Sequence, residues 1–446
     1  MKTPPIIEVD TFFKVYLNFG CDVMKKRRIF NKIIECKRRF IARLATCSLL
    51  GNDRKHFTRN RKLTCTRLLM LILSGVHTSM QLAIDDFYEK INHKEDAVSK
   101  QAVSKARTKL DPDIIKEIFK TTVKETCKCS DLELYNKKYR LCAIDGSDIA
   151  LDNANELKEY FGCSGSAKNA TTAMCSVAYD PLNNLILDAS LNPYKTDERT
   201  TAREHIAVIS ALPKKKKVQI LYIYDRGYPS REFLAELIDG KTSFLMRARA
   251  KFNLNFDKVT RDEKITFEDE GRIYNVRVIK IALDTGEIET LVSNLSEKDL
   301  PYNEAGNLYF KRWAIETKFN SLKNKLELEN MSGRRPVTVF QDFWATLDMA
   351  NTMACFEYMT DEVIAERTAD SQNKYEQTTN ENRLLHKLSR KYIEVLTQNN
   401  SAKRQKLFDE LVKDIAKRPV EIKPDRKTKR KIPRKMKFCD RYKSVT

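Results

Sequence analysis

The chain has 446 residues, 41% of them hydrophobic, with 82 Lys and Arg against 61 Asp and Glu and a net charge of +21. That length exceeds one typical domain and supplies a substantial core, whereas the most apolar run, Leu68 to Leu73, is far too short to span a bilayer and no stretch reads as a signal peptide. Eleven cysteines without a paired framework and five scattered histidines fit reduced thiols in a cytoplasm rather than a disulfide scaffold or a zinc site.

The excess charge sits at the two ends. Residues 1–64 carry 16 basic and 5 acidic side chains and residues 417–446 carry 13 and 3, leaving 53 of each in between. Such a distribution is expected of segments that grip phosphate. Lys427 to Lys437 offers almost nothing apolar to bury, so it is expected to order only on binding, a solubilising tail being the alternative.

Residues 10–128 read as helical, with a basic amphipathic stretch from Met24 to Leu44 and an apolar helix from Thr66 to Leu73. Ser79 to Tyr88 and Val98 to Leu110 predict two helices with a turn between them. The arrangement is similar to a helix-turn-helix, in which Lys100, Gln101, Ser104, Lys105 and Arg107 would face DNA; a pair packed for structure alone is the alternative. Next, the apolar run Leu141 to Ile144 stops at Asp145 and Gly146, and Val218 to Tyr224 stops at Asp225, Arg226 and Gly227. Both predict strands that finish in an aspartate and a turn. Ligand sites of open α/β sheets lie at such strand ends, although an aspartate before glycine is also an ordinary turn residue.

Between these strands, residues 173–179 and 184–191 predict a hairpin turning at Asp180-Pro181-Leu182-Asn183, followed by a helix from near Arg199 to about Lys214. A helix over 230–237, a strand over 242–248 and β alternation through 250–305 come next. A long core helix over 337–357 follows, in which Trp344 serves packing.

The stretch Tyr309 to Lys323, YFKRWAIETKFNSLK, is the most informative. Read as one helix at roughly 100° per residue, it places Arg312, Glu316 and Lys323 within about 40° of one another and Tyr309 about 20° further round. A carboxylate would then be bracketed by two cations, beside an apolar stripe of Leu308, Ile315, Phe319, Leu322 and Leu326. Taken with Asp145 and Asp225 it makes three carboxylates, which repel one another unless cations neutralise them. Hard divalent cations, Mg²⁺ or Mn²⁺, suit such oxygen ligands.

In this order IDGS, DRGY and Y-x-x-R-x-x-x-E-x-x-x-x-x-x-K resemble the DDE transposases of bacterial insertion sequences, specifically the insertion-sequence-four group with its Y-R-E-K signature. The resemblance covers roughly residues 55–356 and includes Arg59 to Leu63, Val98 to Leu110, Glu198-Arg199 with His205, and Leu291 to Leu295. It implies an α/β fold: a ribonuclease-H-like catalytic core with a β-rich insertion, after an all-helical N-terminal DNA-binding region. The expected divisions are 1–128 for that region, 129–249 for the first part of the core, 250–305 for the insertion, 306–360 for the catalytic helix and end of the core, and 361–446 for C-terminal helices and the basic tail.

By the same resemblance, Asp145, Asp225 and Glu316 are catalytic and hold two Mg²⁺ (or Mn²⁺) ions, while Tyr309, Arg312, Lys323 and Arg226 bind DNA phosphates. The partners are double-stranded DNA, both transposon ends and target, and a second copy of the chain when two ends are bound, with no membrane. The location is cytoplasmic, at a bacterial nucleoid. The activity is cleavage of the element's terminal inverted repeats and joining to target DNA, against the alternatives of a DDE-type nuclease without strand transfer and a non-catalytic DNA-binding relic or repressor. One member of the family flips a base onto a tryptophan of the insertion to form a hairpin. Here the two tryptophans, Trp313 and Trp344, lie outside it, so either an aromatic such as Phe252 or Phe256 substitutes or the hairpin step is open.

Overall fold

The computed structural model describes residues 23–46, 57, 61–75, 79–128, 132–165, 170–215, 217–250, 252–283, 286–369, 371 and 373–423. Most of both basic ends, including Lys427 to Lys437 and Arg59, lies outside these. The described chain divides into two units, one drawn from residues 132–147 and 174–320, the other from residues 23–128, 148–173 and 321–423.

The first unit is built on strands. In chain order they are β1 (Tyr139–Ala150), β2 (Cys163–Ser164), β3 (Ala170–Asp180), β4 (Leu185–Pro193), β5 (Gln219–Tyr224), β6 (Ser243–Ala248), β7 (Asp262–Asp269), β8 (Arg272–Ala282) and β9 (Ile288–Ser293). They join in the order β2-β3-β1-β5-β6-β9-β8-β7, with β4 on β3; β2 and the first residues of β3 belong to the second unit. β1, β5 and β6 are parallel, and β9, β8 and β7 continue antiparallel from β6. The β alternation read over 250–305 therefore extends the same sheet rather than standing apart from it. The expected hairpin is present as β3 and β4, with Asn184 at a positive φ of 47° closing the turn, a conformation Asn tolerates. Leu141, Leu221, Ile223, Leu245, Ile279 and Leu291 form the core of this sheet.

Two buried polar networks fix the hairpin. Arg140 donates to Asp180 at 2.7 Å, and Asp180 also accepts from the backbone N–H groups of Leu182 and Asn183. His205 Nδ1 lies 2.7 Å from Asp188 and its Nε2 lies 3.1 Å from Ser176. All three of those side chains are buried, so this Ser-His-Asp arrangement ties the strand pair to the following helix and has no access to a substrate.

In the second unit the helices are α1 (Val23–Thr46), α2 (Cys65–Leu73), α3 (Met80–Lys90), α4 (Lys100–Arg107) and α5 (Pro112–Cys127), then α6 (Asn155–Phe161). Helices α7 (Glu198–Ser210), α8 (Arg231–Asp239), α9 (Leu254–Lys258) and α10 (Tyr302–Phe310) belong to the first unit, and α11 (Trp313–Asn324) runs from the first into the second. The second unit is completed by α12 (Pro336–Thr368), α13 (Glu381–Thr397) and α14 (Ser401–Ala416), with the short strands β10 (Gln377–Thr378) and β11 (Val420–Glu421). The 33-residue α12 is its axis and packs on α1, α2, α5, α13 and α14. Trp344 lies against Phe119 and Phe343, a packing role as expected. No helix among the described residues is long and apolar enough to cross a membrane.

Inside this bundle a full charge is buried. Lys37 Nζ, on α1, donates to Asp348 Oδ2 at 2.8 Å, to Tyr392 at 3.0 Å and to Thr352 at 3.2 Å, and Thr122 donates to the other Asp348 oxygen at 2.7 Å. Burial works against the Lys37 charge, but Asp348 and Tyr392 outweigh it and raise its pKa above the ordinary value. The lysine thus stays charged and joins α1, α5, α12 and α13. Lys37→Ala should leave Asp348 uncompensated and destabilise the fold by about 3–5 kcal/mol, read as a lower midpoint in chemical denaturation. An unchanged midpoint would mean that water reaches and solvates the aspartate.

Candidate active site

Parallel pairing of β1 with β5 ends at Ile144 and Tyr224. Asp145 and Asp225 are the next residues on two adjacent strands, so their carboxylates emerge side by side. β1 does not stop at Asp145, as the sequence pattern implies, but runs on to Ala150. Its later residues lie beyond the register with β5. Each aspartate accepts a hydrogen bond from a nearby glycine N–H, Gly146 to Asp145 at 3.0 Å and Gly227 to Asp225 at 2.6 Å. Burial, and next the charge of Asp225, push the Asp145 carboxyl up to about 7, against the pull of Arg312. Glu198 adds to the push.

Arg312 is the local countercharge. Its guanidinium lies 3.8 Å from Asp145 Oδ2 and donates to Glu316 Oε1 at 2.8 Å, and it sits 5.7 Å over the ring of Tyr309. Burial opposes its charge, but Tyr309, Glu316 and Asp145 raise its pKa above the ordinary value. The Y-R-E-K stretch is not one helix. α10 ends at Phe310, α11 begins at Trp313, and in between Arg312 N bonds Tyr309 O and Ile315 N bonds Arg312 O, three residues apart. That tightening places Tyr309 before a turn and Glu316 after it, so the angular spacing of a continuous helix does not apply.

The remaining expected residues fall as follows. Tyr309 is 7% exposed within the sheet's core cluster, and burial pushes its hydroxyl up to about 12. Arg226 is exposed, its carbonyl accepting from Arg249. Lys323 belongs to the second unit, where it donates to the Asp148 carbonyl and lies 3.9 Å from Glu329. On α4, Lys100, Gln101, Ser104 and Lys105 are exposed and Val103 is buried, so four of the five expected DNA-facing residues share one open face. Arg107 departs from that expectation. It is 2% exposed and donates to Gln341, Asp342 and the Thr338 carbonyl on α12. Four positions of helix separate it from Val103, so it shares the packed face. Phe256 is likewise buried, and Phe252 is half-buried against it. The exposed aromatics near the site are Phe310 and Trp313, stacked 6.5 Å apart.

The donors gathered here are all oxygens, which suits Mg²⁺ or Mn²⁺, and the Asp145 carboxyl, raised first by burial and next by Asp225, is one whose charged form a cation would stabilise. No three Asp, Glu, His or Cys side chains among the described residues converge closely enough to hold a metal as they stand. Glu316 is drawn to Arg312, and joining the aspartates requires that ion pair to open.

Sequence reasoning gave Glu198 no role, although it lies close to both aspartates. An acid in the first turn of a helix is an ordinary partner of the helix dipole, and Asp197 is the N-cap, accepting from Thr200 N. The sequence marks Glu198 only as part of the Glu198-Arg199 pair that resembles the family, and its neighbourhood in three dimensions is what brings it to the aspartates.

Residues 136–351 match a family model described as a transposase DDE domain. No curated protein matches the chain. Among solved structures, a piggyBac transposase synaptic complex with hairpin DNA is similar over 92% of this chain and 86% of that chain, at 9% identity and a TM-score of 0.41.

The Asp145 carboxyl has a signature in stability. Its folded pKa of about 7 lies above the ordinary 3.8, so between those values the folded chain keeps a proton that the unfolded chain has lost, and stability falls as pH rises from about 4 to 7. In a chelator, Asp145→Asn should therefore stabilise the protein at pH 8, by at most about 4 kcal/mol, and give no gain near pH 4. Melting temperatures across this range test it; a gain that does not depend on pH would remove titration of Asp145 as the cause.

Proposed function

We propose that this chain is a DNA transposase of the insertion-sequence-four group that cleaves the ends of an element and joins them to target DNA, a reading that the match of residues 136–351 to a transposase DDE domain model supports. The observation that carries the reading is the pair Asp145 and Asp225 on adjacent strand ends, with Arg312 between Asp145 and Glu316. The hairpin β3–β4 beside three parallel strands supports a ribonuclease-H-like core, with β7 to β9 as its β-rich insertion and the preceding helices as the DNA-binding region.

Asp145, Asp225 and Glu316 would hold two Mg²⁺ or Mn²⁺ ions. When bound, those ions supply activation of a water or a DNA 3′-hydroxyl and stabilisation of the leaving oxygen. The rest is done by the chain. Phosphoryl transfer depends mainly on positioning and charge stabilisation, and Arg312, released from Glu316 when that carboxylate turns to its cation, becomes available to a DNA phosphate. Lys323 and Arg226 are assigned further phosphates, and Tyr309 holds Arg312 through its ring. Lys100, Gln101, Ser104 and Lys105 read or grip the duplex from α4, without Arg107. Two copies of the chain would act on the two ends.

Asp145→Ala, Asp225→Ala and Glu316→Ala should each abolish Mg²⁺-dependent cleavage of the element's end while retaining end binding in a gel-shift assay. Cleavage by any one of them removes that residue from the site. Wild-type protein that cuts but never joins a pre-cleaved end to target DNA would reduce the function to that of a nuclease.

Arg312→Gln should lower the cleavage rate by about 10²-fold or more, the usual effect of deleting one donor that stabilises developing charge. The melting temperature should fall only modestly, because Arg312 offsets part of the repulsion between Asp145 and Asp225 while the glutamine still fills most of its space. Loss of the cooperative melt instead would assign Arg312 to the fold.

A further inference from the structure

We propose that Glu198 is a fourth carboxylate of the cation site, joining Asp145 and Asp225 from the first turn of α7; this rests on the cation site proposed above. A β-carbon placed on Gly146 would stand 2.7 Å from Glu198 Oε1, and one placed on Gly227 would stand 3.9 Å from Glu198 Oε2 and 3.0 Å from Asp225 Oδ1. One carboxylate thus lies over both glycines that follow the aspartates, in space that no other residue type at Gly146 would leave to it. Glu198 also bears on Asp145 electrically, whereas Glu316 is bound to Arg312.

The hydroxyl of Tyr228 provides a separate observation. The side chain is fully buried and that hydroxyl has no hydrogen-bond partner. Besides burial, the charges acting on it are foremost Glu198, then Asp145, Asp225 and Asp197, so the unpartnered group lies within reach of these acids' charge. A buried hydroxyl left unsatisfied is costly. A hydrated cation among the acids would bring a water that could satisfy it.

A helix-capping role does not account for the position. Asp197 already caps α7, and the Glu198 carboxylate lies over the glycines of two other loops. Asp145, Asp225 and Glu198 do not converge closely enough to hold an ion as they stand, so a cation would first draw these three carboxylates together, and Glu316 would join after release from Arg312. Glu198 should therefore matter more than Glu316 to binding of the ion without DNA.

Mn²⁺ titration of the full chain by calorimetry, without DNA, tests this directly. Glu198→Gln should weaken Mn²⁺ binding by about tenfold or more, and Glu316→Gln should weaken it less. Gly146→Ala provides a second route, since its methyl would displace the Glu198 carboxylate and should weaken binding similarly. Gly146 lies outside the left-handed region, so alanine adds no backbone strain there, and this variant decides the matter if Glu198→Gln does not fold. The inference is overturned if Glu198→Gln and Gly146→Ala bind Mn²⁺ as tightly as wild type while Asp145→Asn does not. If Asp145→Asn also binds as wild type, the cation site itself is refuted and the inference falls with it.

Discussion

Mutual repulsion of carboxylates at the ends of β1 and β5 is the constraint around which the first unit is arranged. Placing Asp145 beside Asp225 raises the free energy of the folded chain, and the parallel pairing of β1 with β5 holds them together regardless. Arg312 offsets part of that cost from the turn between two helices, and it can do so only because Tyr309 and Glu316 hold its guanidinium in place. Strand register, the short turn and the arginine are one device: a site whose charge is incompletely balanced until a cation is supplied. Stability is given up locally for that poise.

The juxtaposed strand-end aspartates and the Arg312–Glu316 pair could be read from the sequence because both are local patterns. Lys100, Gln101, Ser104 and Lys105 were readable for the same reason, as a short helix shows its faces through periodicity. Arg107 was not, since its partners Gln341 and Asp342 lie more than 230 positions away, and nothing in a helical repeat distinguishes an arginine facing solvent from one buried under a distant helix. The break at Lys311 and Arg312 was missed because neither residue is a helix breaker; the turn is tightened by tertiary packing of α10 into the sheet core. Glu198 escaped because its significance is a distance to Gly146, which the linear pattern does not contain.

The buried ionic groups divide the labour differently in the two units. In the second, Lys37 and Asp348 lie at the centre of helices drawn from both ends of the chain. An ion pair there is a poor source of net stability compared with apolar packing, but a misplaced helix would strand one of the charges, so it selects among alternative packings. In the first unit His205, Asp188 and Ser176 have the composition of a nucleophilic triad, and their burial shows how little composition alone determines.

The turn between α10 and α11 has a further implication for how this chain can vary. Because α10 is anchored in the sheet core and α11 carries Glu316, the turn sets the rotational phase of one helix against the other. One residue added at Lys311 or Arg312 would rotate everything after it by about 100°, carrying Glu316 away from Asp145 without removing a single apolar contact of α10. Length in this loop is therefore under tighter restraint than its chemistry. A single-codon insertion or deletion there would leave α10 packed in the sheet and move Glu316 away from Arg312 and Asp145.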